Sequence, residues 1–370
     1  MSKIAIVLFQ LGGPDSLEAV EPFLFNLFMD PDIIDFPLAF LARRPLAKFI
    51  SRKRAPGVRE NYQQIGGKSP ILDLTRLQAA ALETRLHQNA INATVFIAMR
   101  YWHPLTEDVV KEIKAGGFEQ AVLLPLYPQF SQATTYSSMN EWNRQTAIHG
   151  LSIPTRTVCC YPNHPSLLEA FTGNINQALE KFAGVSPEDI DLVFSAHGIP
   201  ISYIQKGDPY QLHIEETVRR VIEHGKWNSP FSLCYQSKVG PMEWLKPSLL
   251  ETVERLTLEG RKHLLIVPIA FVTDHIETLH EINIEVRKHA MAHHIEQFEV
   301  VPGLNDHPKL IECLAKLVRE QLTSHVHTHT CQLLWNEKKH RQQPKICPWM
   351  KPEVPNTPFS TNPENKILSE

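Results

Sequence analysis

Short apolar runs alternate along the chain with stretches of helical period, and the runs come in matching pairs. "IAIVLFQLGGP" (4–14) answers to "IDLVFSAHGIP" (190–200), each an apolar run ending in a glycine-containing turn and proline. "VFIAMRYWHP" (95–104) answers to "FSLCYQSKVGP" (231–241). "GGFEQAVLLPLYPQFSQATT" (116–135) answers to "EGRKHLLIVPIAFVTDHIET" (259–278), and the interval from Gly117 to Pro125 equals that from Gly260 to Pro268. One such pair could be chance; three in the same order argue for two similar halves. Segments such as "PLTEDVVKEIKAGG" and "KPSLLETVERLTLEG" carry an amphipathic helical period between the runs. This is the βαβ signature of an α/β chain with parallel sheets, built twice. "HPSLLEAFTGNINQALEKF" (164–182) has helical period and joins the halves. The expected division is 1–165 for the first lobe, 166–325 for the second and 326–370 for a poorly ordered tail rich in Pro, Asn, Lys and Gln. Ligands of open α/β sheets lie beyond the carboxyl ends of the strands. Two such lobes would face each other across a cleft, so the residues just after each apolar run are the ones to inspect.

Composition narrows the partners rather than the fold. The 370 residues are 43% hydrophobic and 21% charged with a formal net charge of −3, which gives no support for nucleic acid as a partner. Six cysteines, including the adjacent Cys159 and Cys160, show no paired-motif spacing, so no disulfide framework is expected. The opening apolar run is short and ends in a Gly-Gly-Pro turn instead of a cleavage site. No run approaches the roughly 20 apolar residues of a membrane span. The expectation is a cytoplasmic protein.

The candidate chemistry collects at two strand ends. His197 in "SAHGIP" follows the strand "LVFSA" and precedes a glycine. Alone, it could be a histidine hydrogen-bonded inside a turn. The third strand of the same half, however, ends in Asp274, His275 and Glu277, and neighbouring strand ends bring an imidazole and carboxylates into one pocket. Such a set binds a borderline divalent cation or moves protons near neutral pH. Asp274, Glu277, Glu281 and Glu285 would line one side of a helix. A solvated acidic face helped by the macrodipole explains the first two but not the last two. Arg100, Tyr101 and Lys238, at the second-strand ends, suit an anionic or aromatic ligand. "GGKS" in "YQQIGGKSP" is not a phosphate loop, because Tyr62 stands where that motif needs glycine. Residues 21–57 mix bulky apolar residues with Arg43, Arg44, Lys48, Arg52, Lys53 and Arg54. They read either as a core helix followed by a solvated basic one, or as an apolar lip over a flat ligand that touches a membrane surface. His325, His327, His329 and Cys331 at the start of the tail read as incidental.

The stretches "FQLGGPDSLEAVEPFLFNLFMDPDII", "YQQIGGKSPI", "RYWHPLTE", "YPQFSQATTYSSMN", "FSAHGIP", "KGDPY", "YQSKVGPMEWLKP" and "VPIAFVTDHIETLHEI" together resemble the ferrochelatases. That family inserts ferrous iron into a porphyrin late in haem synthesis. The pairing of "SAHGIP" with "DHIETLHEI" is the specific part. The resemblance implies two Rossmann-like lobes around a porphyrin cleft. It implies His197 as proton acceptor and transient metal ligand, and Glu277 as its partner. Asp274, His275, Glu281 and Glu285 become the surrounding acid-rich shell and a conduit for protons or metal. Gln10 and Leu11 match near-face contacts, while Arg54, Tyr62 and Ser69 match positions that meet the macrocycle or its propionates. Arg100, Tyr101, Tyr210, Lys238 and Trp244 fall in matching motifs as porphyrin-binding candidates. The implied substrates are protoporphyrin IX and Fe²⁺, with no tightly bound cofactor, a monomeric protein and peripheral membrane contact through 21–57. Only Cys331 and Cys347 stand near the C-terminus, so no iron–sulfur cluster is expected. Leu11 stands where some relatives carry Tyr or Met, which argues against tight product retention through that position. The alternatives are a chelatase for coproporphyrin or another tetrapyrrole and metal, a haem- or metal-binding module without turnover, and a zinc hydrolase. The hydrolase fits worst, because it would show three protein ligands and an activated water.

Overall fold

The computed structural model describes residues 3–33, 39–238, 240 and 242–323, without the side chains of 39–41. The expected tail, its histidines, Cys331 and Cys347 lie outside the described residues.

Two four-stranded parallel sheets form the frame. The first holds β1 (Ile4–Gln10), β2 (Ala93–Met99), β3 (Gln120–Pro125) and β4 (Thr155–Thr157) in the order β2-β1-β3-β4. The second holds β5 (Ile190–His197), β6 (Phe231–Gln236), β7 (His263–Pro268) and β8 (Gln297–Val300) in the order β6-β5-β7-β8. The two orders are the same, so the doubling legible in the sequence is a doubling of topology. β1 is buried along its whole length, which is why it reads as an unbroken apolar run. Its alternate residues serve different cores. Ile4, Ile6 and Leu8 face the core shared by both halves, and Ala5, Val7 and Phe9 face the outer layer with Trp142.

The shared core joins the halves. Leu8 and Leu124 of the first sheet belong to the same apolar cluster as Phe194 and Leu265 of the second, through Phe171, Ile175 and Leu314. The helix Pro165–Leu179 packs against the second-half helix Tyr210–Gly225. The last described helix, Pro308–Thr323, packs on Pro165–Leu179 and also on Ile71–Gln88 and β3. The final helix, within the stretch 166–325 expected as the second lobe, thus also touches the first half.

The lip expected near 21–57 is a helix pair, Val20–Met29 and Ala39–Gln64. Val20, Leu24 and Phe28 pack on Ala47, Ala55 and Tyr62, and Ile276 of the second half joins them. The basic residues Arg44, Lys48, Arg52, Lys53 and Arg54 are exposed, as on a solvated helix, and Phe49 and Leu46 stand exposed among them. Among the described residues no helix is long and apolar enough to cross a membrane.

Candidate active site

β5 ends on His197 and pairs directly with β7, so the segment leaving β7 rises beside the imidazole. That segment leads into Glu277–Val286, a π-helix rather than an α-helix. Such i→i+5 stretches are rare and concentrate at functional sites. The first half carries a π-turn, Gln132–Tyr136, after its own third strand. The duplication thus extends to an irregularity that apolar periodicity could not reveal.

His197 Nδ1 lies 2.8 Å from Glu277 Oε2. With Nδ1 engaged, Nε2 is the nitrogen left to meet a ligand, and the His197 side chain is 36% exposed. His275 donates from Nδ1 to the Thr273 carbonyl at 3.1 Å, which turns its Nε2 toward Glu277 Oε1, 3.8 Å away. Ser237 ties the acids together. Its N–H donates to Glu281 Oε1 at 2.9 Å, and its hydroxyl lies 2.6 Å from Glu281 Oε2 and 3.2 Å from Glu277 Oε2. Ser237 has φ +66°, a left-handed conformation that non-glycine residues keep where the surroundings enforce it. Trp244 and Phe271 make T-shaped contacts with the imidazole, at 6.4 and 6.5 Å between centroids. Gly198 permits this closure. A Cβ there would stand 3.0 Å from the Gln236 carbonyl and 3.3 Å from the Trp244 ring.

These neighbours set the proton affinities. Burial pushes the His197 imidazole down, but the Glu277 charge, its hydrogen bond and Glu281 outweigh burial and leave it above the ordinary value. Burial would push Glu277 up, yet His197 and His275 hold it well below the usual carboxylate range. Glu281 goes the other way. Burial and the Glu277 charge raise it, against partial relief from Ser237. Two adjacent acids with affinities pushed apart divide into one that stays ionised and one that takes a proton.

The other candidates divide sharply. Tyr62 is buried, shifted upward by burial and by the Glu277 charge, and paired with Ser69. Arg54 lies exposed over the Phe28 ring, Lys238 is exposed, and Leu11 and Trp244 are half-buried. Gln10 is buried, with its amide committed to Thr273 and to the Leu11 N–H. Tyr210 is buried and donates its hydroxyl to the His197 carbonyl at 3.0 Å, holding the backbone of the imidazole in place. Two expectations need correction. Asp274 is no part of the acid shell, because its carboxylate accepts from Gly303 N–H, Thr278 Oγ and Asn305 Nδ2. Arg100 and Tyr101 are not free for a ligand, because both bind buried Asp30, at 3.0 and 2.7 Å. Ser137 donates to the same carboxylate. Glu285 is largely exposed and lies 3.8 Å from His280, at the outer end of the series.

Arg100→Leu is therefore expected to cost stability rather than ligand affinity. It leaves Asp30 charged and buried without its cation, a loss of about 3 kcal/mol. Chemical denaturation measures that loss, and titration with porphyrin checks that affinity is retained.

Sequence reasoning missed Ser237, Phe271 and Asp30. Ser237 stood inside a quoted motif, but its role depends on a backbone angle that its residue type does not advertise. Among the described residues, no group of three or more His, Cys, Asp or Glu is arranged to hold a metal ion.

The ferrochelatase family model matches residues 3–322. A ferrochelatase of Geotalea daltonii is 47% identical over 318 residues, covering 86% of this chain and 97% of that protein. A ferrochelatase of a Synechocystis strain is 44% identical over 327 residues, covering 87% and 83%. Among solved structures, SirB from Bacillus subtilis with Fe³⁺ shares the fold at 13% identity and a TM-score of 0.52, covering 87% of this chain and 96% of that one.

Proposed function

Since the chain belongs to the ferrochelatase family, enzymes that insert metal into a porphyrin, we propose that it inserts Fe²⁺ into protoporphyrin IX with His197 and Glu277 as the central pair. One observation carries this reading: the imidazole is bound through Nδ1 to an ionised carboxylate and keeps Nε2 free at a strand end. The reaction exchanges two pyrrole N–H protons for Fe²⁺ and changes no oxidation state, so it requires no resident cofactor.

His197 acts as the base. In its neutral form Nδ1–H is donated to Glu277 and Nε2 bears the lone pair that accepts one pyrrole proton, the second leaving to water as the metal enters. The carboxylate stabilises the imidazolium that forms, much as a buried acid supports the histidine of a hydrolase triad. Ser237 then links Glu277 to Glu281 through one hydroxyl. Glu281 is the acid whose affinity is raised, so the proton moves to it through Ser237. Iron, shedding water, meets two protein ligands and so retains positions for the porphyrin nitrogens. Trp244, Leu11 and Tyr62 flank the macrocycle, and Arg54 and Lys238 reach its propionates.

Ser237→Ala removes the bridging hydroxyl while keeping the N–H bond to Glu281. Turnover should fall about tenfold with porphyrin affinity unchanged. Steady-state kinetics beside a fluorescence titration checks both halves of that statement.

The substrate is tested by anaerobic Fe²⁺ insertion into protoporphyrin and coproporphyrin, followed by loss of porphyrin fluorescence. Faster turnover of protoporphyrin supports the proposal, and the reverse order reassigns the substrate. Binding without turnover of either would make the protein a carrier. Phe49 and Leu46, exposed among basic residues, support peripheral contact with an anionic membrane through the lip. Phe49→Glu should abolish cosedimentation with phosphatidylserine vesicles, and unchanged sedimentation would remove the lip from that role.

A further inference from the structure

The turn that carries the acids is held from the other half of the molecule. Gln78, in the first-half helix Ile71–Gln88, is fully buried, and its Nε2 reaches three second-half acceptors. These are the Asn305 carbonyl at 2.8 Å, Thr273 Oγ1 at 3.0 Å and the Val272 carbonyl at 3.4 Å. The Thr273 hydroxyl donates back to Gln78 Oε1 at 3.2 Å and accepts from Gln10 Nε2 at 3.4 Å. Gln10 Oε1 in turn accepts the Leu11 N–H at 3.0 Å. On the far side, the Thr273 carbonyl receives His275 Nδ1, and Asn305 brackets Asp274 through both atoms of its amide. A continuous hydrogen-bonded path therefore runs from Leu11, at the end of β1, to the residue beside Glu277.

From this path we infer that Gln78 and Thr273 are positioning residues for metal insertion. The first half, through Gln78 and Gln10, fixes where Thr273 to Glu277 stand relative to the macrocycle. The location of the bonds carries the argument. They fall on residues 272, 273 and 305, which lead into or brace the acidic turn, whereas the other polar contacts between the halves, such as Ser131 with Asp208 and Gln129 with Thr217, lie away from it in sequence. A hydroxyl held by two amides from the facing half has few other orientations, so the turn cannot shift without breaking several bonds together. Misplacement of a reacting group by about 1 Å costs on the order of 100-fold in rate.

The inference rests on the reading of His197 and Glu277 as the metallating pair, so wild type and His197→Ala are measured in the same assay. Full-length Thr273→Val, Thr273→Ser and Gln78→Leu are compared for kcat, for porphyrin Kd by fluorescence and for Tm. The expected result is a kcat lower by about 10- to 100-fold in Thr273→Val with Kd within about threefold of wild type, and recovery of most of the rate in Thr273→Ser. Gln78→Leu should show the same split. If it fails to fold, Thr273→Val, which keeps the side-chain shape, decides alone. A kcat for Thr273→Val within about threefold of wild type overturns the positioning role, as does a parallel loss of kcat and porphyrin binding that serine does not restore. A wild type that does not metallate, or a His197→Ala that still does, overturns the functional reading and this inference with it.

Discussion

Glu277→Gln should bind porphyrin as wild type does and insert iron about 100- to 1,000-fold more slowly. The amide keeps the size of the side chain but loses the charge that, in the proposed mechanism, stabilises the His197 imidazolium and attracts the incoming cation. It also changes the pH dependence in a definite direction. In wild type the Glu277 carboxylate holds His197 above its ordinary value, so the base form, and with it the rate, develops as pH rises through that raised value. Without the carboxylate, burial dominates and only Glu281 opposes it, so the acid limb of the profile should move to lower pH while the plateau falls. The linkage to stability has two edges. The contribution of the pair is lost as pH falls through the depressed value of Glu277 and as pH rises through the raised value of His197. A pH–rate profile of both proteins checks the direction, and an unmoved limb would separate Glu277 from the basicity of His197.

The larger loss is expected from His197→Ala. It removes the proposed acceptor and one of the two proposed protein ligands for the ion, and leaves Glu277 half-buried with His275 and the Ser237 hydroxyl as its nearby partners. General-base removal alone is worth about 100- to 10,000-fold, and the lost metal contact adds to that. Porphyrin should still bind, because the aromatic and apolar walls remain. Exogenous imidazole should restore part of the rate if the cavity admits it, since the missing function is a lone pair at a defined place. Rates of the variant with and without imidazole, beside a binding titration, test this.

The doubled fold was legible because it depends on period and order: apolar runs, their closing turns and the equal interval from Gly117 to Pro125 and from Gly260 to Pro268. The His197–Glu277 pair was legible for a similar reason. Adjacent strand ends in a parallel sheet must meet, and the β5–β7 register brings them together. What stayed hidden depends on backbone detail and on long-range partners. Asp274 belongs to the same acid series in sequence, but the loop at 303–305 claims both of its oxygens. Arg100 and Tyr101 sit in a matching motif, yet a carboxylate seventy residues earlier, Asp30, buries them as an ion pair and a hydrogen bond. Ser237 gains its role from a positive φ, and the acid helix from a π geometry; hydrophobic period encodes neither. The return of Pro308–Thr323 to the first half was equally invisible, because its amphipathic period names a buried face without naming what covers it.

The most direct measurement is a single turnover: the protein–protoporphyrin complex mixed anaerobically with Fe²⁺ in a stopped-flow instrument, with porphyrin fluorescence followed in time. Wild type and His197→Ala are run at equal porphyrin occupancy. The expected result is a fluorescence decay in wild type that is absent from the variant on the same timescale, with haem as the product. Decay at similar rates in both would contradict it and move the centre of metallation away from His197.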